Sequence, residues 1–196
     1  PCKPPGPVQY ASKTRQQLNA TYEVVYWFTN NPEAVEADNR RVLQPHTQQH
    51  KALMARGGTR AATHSDGAHR RRDGSYGRPT EGRIPRNILR YPHNCPSQSA
   101  YKRQARELGL PAHGAPYPLA LAVFLIRFLS QQEQLVVDPF GGSLTTGLAA
   151  EQTGRRWLTT ECMWEYNRAG LTRYQGYPGF QVNQDFIQSV PMPGAA

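Results

Sequence analysis

Acidic residues are in short supply. Fourteen Asp and Glu stand against 23 Lys and Arg, leaving the 196-residue chain at a formal +9 at pH 7 with a pI near 9.8. That deficit points to a polyanionic partner and says nothing about fold. Cysteine is scarcer still: Cys2, Cys95 and Cys162 are odd in number and far apart. Neither a disulfide framework nor metal-ligand spacing can be assembled from them, so a reducing compartment and no metal site are expected. Long apolar runs are missing too. The longest, residues 119–129, carries Arg127 and falls short of the ~20 residues that cross a bilayer. No charged-then-apolar leader opens the chain. The expectation is a soluble protein of the cytoplasm with no membrane partner, one domain or one domain plus a smaller appendage.

What the chain has in quantity is punctuation, 17 Gly and 17 Pro, which means many turns and long connections, particularly before Pro118. Three zones follow. In residues 1–43, "YEVVYWFT" (22–29) is β-branched and aromatic and predicts a strand, with Tyr26 and Trp27 read as core packing. Residues 44–96 show almost no apolar periodicity. Between positions 56 and 90 nine arginines and no lysine face three acids, among glycines, histidines and Tyr76, so this stretch holds most of the excess charge. Arginine forks suit phosphates and base edges; a solvated loop fits the same composition equally well. Residues 97–196 are orderly. A short helix ends at Gly109, and an apolar helix starts near Pro118. A strand at 135–137 then leads through a glycine turn to a helix over 145–152 and a second strand in "RRWLTTE". Strand, turn, helix, strand is half of a doubly wound α/β sheet.

In such sheets ligands bind at the carboxyl ends of strands, where the first turn meets a helix. Glycines there permit positive φ and close approach to bare backbone. Asp138 ends the first strand. Glu161, about twenty residues on, occupies the place from which an acid reaches ribose hydroxyls. The turn lacks the G-x-G-x-x-G dinucleotide spacing and the Gly-Lys-Ser/Thr of a phosphate loop, so a neutral or cationic nucleoside ligand suits it better than a triphosphate. A tight turn with Asp138 as a cap is the bland alternative.

"DPFGGSLTTG" (138–147) followed by "GRRWLTTE" resembles the S-adenosylmethionine motif of amino-group DNA methyltransferases, roughly D-P-F-x-G-S-G-T-T-G. "HGAPYPLALA" from His113 resembles their H-P-A-x-F-P-x-x-L segment, at a similar distance upstream. "GRIPRNILRYP" and "YEVVYWFTNNP" look like connecting pieces of phage and bacterial members, so the resemblance covers most of residues 20–175. It implies a Rossmann-like, S-adenosylmethionine-dependent methyltransferase fold, here an incomplete doubly wound sheet, which methylates adenine N6 or cytosine N4 in double-stranded DNA, as in restriction–modification, within a bacterial or phage-infected cell. Residues 1–43 would belong to the catalytic core, 44–96 to DNA contact and target recognition, and 97–196 to cofactor binding.

By position, the resemblance implies Asp138 beside the methionine moiety, with Pro139, Phe140, Gly141, Gly142 and Ser143 around the turn. Thr145 and Thr146 would receive the cofactor carboxylate, and Glu161 the ribose. His113, Pro116, Tyr117 and Pro118 would form the opposite wall. Arg70, Arg71, Arg72, Arg78, Arg83 and Arg86 are the implied DNA contacts. Leu144 stands where the family has glycine, placing a bulky, strained residue in the tightest part of the loop if positive φ is needed there; Gly114 replaces a proline.

The catalytic motif of the family, an Asp, Asn or Ser followed by Pro-Pro and an aromatic, is absent. "KPPG" (3–6) has neither the acceptor nor the aromatic. No catalytic residue is therefore assigned. The order of motifs looks like the C-terminal portion of one subclass, whose catalytic motif precedes target recognition and cofactor binding. A missing N-terminal segment, a second chain of a split enzyme, or an inactive DNA-binding relic each account for the absence.

Overall fold

A computed structural model of the chain describes residues 22–63, 70–92 and 95–184, with isolated positions 13, 15, 16, 18, 65 and 67. Cys2 and the "KPPG" segment lie outside the described residues. The chain forms two compact units, Asp38–Arg86, and Pro1–Ala37 together with Asn87–Ala196.

The smaller unit is held by brief stretches of strand pairing. Helix α1 (Gln48–Ala55) starts where the Thr47 hydroxyl accepts from the His50 amide, which supplies one orphan donor with a partner. Two-residue strands β1 (Ala62–Thr63) and β2 (Arg70–Arg71) pair antiparallel, and single bridges join Thr59 to Ser75 and Gln44 to Arg83. The backbone approach at Gly58, φ 101°, leaves no room for a side chain: a Cβ would sit 2.6 Å from the Gly74 carbonyl oxygen. The sequence shows no helix here because α1 has no buried residue, hence no apolar stripe to reveal it.

The larger unit is a Rossmann-like α/β arrangement. Helix α2 (Pro96–Glu107) is followed by α3 (Leu119–Leu129), β3 (Leu135–Asp138), α4 (Thr145–Gln152), β4 (Arg156–Thr159) and α5 (Trp164–Leu171), with a 3₁₀ turn at Thr172–Tyr174. Strands β3 and β4 pair in parallel, Leu135 with Arg156 through Asp138 with Thr159. Alternation along each strand sends Val136 and Trp157 to one face, where Ala122 and Ile126 of α3 and Ala149 and Ala150 of α4 cover them. Leu135, Val137 and Leu158 point the other way and stay exposed.

Residues 23–29 form no strand, contrary to the sequence reading. β-branched and aromatic residues make a strand only where a neighbour completes the ladder, and β3 and β4 pair with each other. Tyr26 and Trp27 are 74% and 54% exposed rather than core, although the Trp27 ring meets Phe128 edge-on at 6.1 Å.

Candidate functional site

The site is built where β3 and β4 end. The Asp138 carboxylate accepts from the Phe140 amide at 3.0 Å and from the Thr146 hydroxyl. Thr146 Oγ1 also meets the Tyr117 hydroxyl. Because the single Thr146 proton goes to the carboxylate, Tyr117 is the donor in that contact. Burial pushes the Tyr117 phenol up, and the Thr146 hydrogen bond opposes it. A file of two hydroxyls thus runs from the segment before α3 to the acid at the end of β3.

Across the turn, Glu161 is gripped by main chain. Its Oε2 accepts from the Gly142 amide at 2.7 Å and its Oε1 from the Met163 amide at 2.9 Å. The Met163 hydrogen bond, then that of Gly142, holds this carboxyl below the ordinary carboxylate range. The Thr160 amide donates to the Asp138 carbonyl, and the Gly141 amide to the Thr160 carbonyl, so the two strand ends are stitched together beneath the acids.

The glycines serve packing more than open access. A Cβ at Gly141 would lie 3.0 Å from Leu144 Cδ2 and 3.2 Å from Thr159 Cβ; one at Gly142, φ 52°, would lie 3.2 Å from His113 Nε2. His113 therefore closes over the turn. Its amide donates to the Tyr101 hydroxyl at 3.0 Å, and its ring stands edge-on to Tyr166. Pro116 is buried, and its carbonyl accepts from the buried Gln98 side chain at 2.7 Å. Pro118 caps the start of α3.

Leu144 does take a positive φ of 57°, the strained conformation expected if the loop required it. The side chain turns into the core, 3% exposed, among Leu148, Tyr174 and their neighbours, with its Cδ2 packed against Gly141 of the loop. Ser143 and Thr145 are buried as well, with their hydroxyls 3.0 Å apart. Phe140 is 86% exposed at the tip.

One residue without a local sequence signal organises this region. Arg173 donates to the Ser143 carbonyl at 2.7 Å, to Thr145 Oγ1 at 2.9 Å and to Ser97 Oγ at 2.6 Å, with its guanidinium over the Tyr101 ring. Only the fold brings a solitary arginine after α5 to the turn.

In the smaller unit Arg70 and Arg71 lie on β2, and Arg70, Arg72, Arg78, Arg83 and Arg86 are exposed. Arg83 also has a structural task, since its Nε donates to the Pro45 carbonyl at 3.2 Å.

Two acids at the carboxyl ends of paired parallel strands, astride a glycine turn and helix, define an α/β protein of Rossmann-like type. The chain belongs to the N6/N4 DNA methylase family, whose sequence pattern matches residues 3–171. It is 33% identical over 180 residues to the type II methyltransferase M.PvuII of Proteus hauseri, a match spanning 89% of this chain and 51% of that protein. The putative methylase YubD of Escherichia coli strain K12 is 38% identical over 61 residues, covering 31% of this chain and 27% of the relative. Among solved structures, the PvuII DNA methyltransferase described as cytosine-N4-specific superposes with a TM-score of 0.62 at 25% identity, covering 96% of this chain and 52% of that one. The chain thus spans about half the length of M.PvuII, and less of YubD.

Proposed function

We propose that this chain is the S-adenosylmethionine-binding and DNA-contacting part of a DNA amino-methyltransferase. The observation that carries the reading is Glu161, an ionised acid pinned by two amides across the turn from Asp138. A fixed carboxylate at the end of the second strand suits the paired hydroxyls of a ribose. Asp138, ordered by Phe140 and Thr146, suits the ammonium of an amino-acid moiety. The first turn of α4 offers amides to its carboxylate; the buried Ser143 and Thr145 hydroxyls shape that turn from behind, leaving Thr146 and Tyr117 nearer its open side. Residues and ligand therefore fit. When bound, S-adenosylmethionine supplies an electrophilic methyl group; the chain's part is to bind and orient it.

Double-stranded DNA is the proposed partner, met by the exposed arginines of the smaller unit through phosphates and base edges. The acceptor is the exocyclic amino group of adenine or cytosine. The cytosine-N4 specificity stated for the PvuII enzyme makes cytosine the first base to test. The acceptor-Pro-Pro-aromatic motif is not among the 196 residues, so methyl transfer needs it from elsewhere, in a further segment or a second chain. The same absence supports a second reading, a DNA-binding protein without catalysis.

Calorimetric titration of the purified chain with S-adenosylhomocysteine tests the cofactor half. Saturable binding is expected, weakened at least about tenfold by Asp138→Asn, the scale of a lost charged hydrogen bond. No binding by the unsubstituted chain overturns the reading. Labelled methyl transfer to DNA by the chain alone is expected to be nil; transfer would show that an outside motif is unnecessary.

A further inference from the structure

Arg173 is a partly buried cation, and among the described residues all its hydrogen-bond acceptors are neutral: the Ser143 carbonyl, Thr145 Oγ1, and the Ser97 hydroxyl and carbonyl. Burial accordingly pushes its guanidinium down from the ordinary arginine range. A charge drawn partly out of water among neutral partners keeps its field, and that field reaches further in a protein than in solvent. It stands behind the first turn of α4, where the helix dipole is also positive.

Its contacts join the two walls of the proposed ligand site. One fork fixes residues 143 and 145; the guanidinium lies 5.6 Å from the centre of the Tyr101 ring, and the Tyr101 hydroxyl holds His113 over Gly142. Thr145 is 1% exposed, so the arginine meets the turn on its buried side.

We propose that Arg173 is a positioning residue for the anionic end of the ligand, bracing the 142–146 turn and placing a positive charge behind it. This rests on the reading of the turn as an S-adenosylmethionine site and adds a claim about selectivity. The turn then favours adenosine ligands that carry an amino-acid carboxylate over those that end at the thioether.

The test is calorimetry on the full chain with two probes sharing their adenosine part, S-adenosylhomocysteine and 5′-methylthioadenosine. Arg173→Gln is expected to weaken the first by about tenfold and the second by no more than about twofold, the scale of a partly buried charge at a helix terminus. Arg173→Lys keeps the charge with the least change to packing and is expected to retain the unsubstituted ratio of the two affinities. Equal losses for both probes in Arg173→Gln, or a ratio collapsed to unity in Arg173→Lys, overturn the proposal. If neither probe binds the unsubstituted chain, the cofactor reading itself fails, a result distinct from loss of selectivity.

Discussion

Glu161 receives main-chain hydrogen bonds from two directions, and this makes its ionisation part of the fold. Its folded pKa is depressed, so the sign is that of a stabilising carboxylate. Above the ordinary glutamate pKa of about 4.3 both folded and unfolded chains are ionised, and the full contribution is present. On acidification the unfolded chain takes up its proton first, and the contribution vanishes as pH passes the folded value. Glu161→Gln should therefore be less stable than the unsubstituted chain by an amount that is steady from about pH 7 to 5 and shrinks below about pH 4. Urea unfolding across that range measures it; a gap indifferent to pH would show that the two amides do not favour the ionised form. Solvent access keeps the effect modest. The role of Glu161 could be posed from spacing alone, because an acid just past a second strand is a local pattern. That of Arg173 could not, since nothing in its immediate sequence marks it.

At the level of elements, the junction of α4 and α5 turns on one contact. Leu144 takes a left-handed conformation that costs an L-residue about 1–2 kcal/mol, offset by burial of its side chain. Gly170 on α5 makes the room: a Cβ there would come within 2.7 Å of Leu144 Cγ. Gly170→Ala should cost about 1–3 kcal/mol as an overpacked site. Leu144→Ala should cost about 2–5 kcal/mol as a cavity. The double substitution should cost less than the sum, because the shortened residue 144 vacates the space that a methyl group at position 170 needs. A double-mutant cycle by urea unfolding reads this directly, and additive costs would deny the contact. The same junction shows why the sequence was only partly legible. The helix over 145–152 and the strands beside it are announced by an apolar run, a glycine turn and a return to β-branched and aromatic residues. Which way Leu144 faces is decided by α5 and the 172–174 turn, distant in sequence. Residues 22–29 mislead for a related reason: their composition reports β preference, and pairing depends on a neighbour that composition cannot supply.

For the whole molecule, the arginine-rich surface and the proposed ligand site belong to different units. Exposed arginines concentrate in Asp38–Arg86, and the 138–161 turn is in the unit that contains Asn87–Ala196. Replacing Arg70, Arg71 and Arg72 by alanine should weaken duplex binding and flatten its dependence on salt, each lost phosphate contact lowering the logarithmic slope by about 0.9. S-adenosylhomocysteine affinity should be unchanged in the same variant. Filter binding at several salt concentrations decides it; an unaltered slope would assign this run to solvation. The ladder of β3 and β4 carries a last consequence. Asp138 pairs with Thr159, and Glu161 follows two residues later, so the separation of the two acids is measured by the register of the sheet. Shortening β4 by one residue would reverse the alternation, expel Trp157 from the core and misplace Glu161 in the same stroke. Changes of length are thus expected to be tolerated in the surface connections and not in the strands: the spacing of the two acids is that of the hydrogen-bond ladder that carries them.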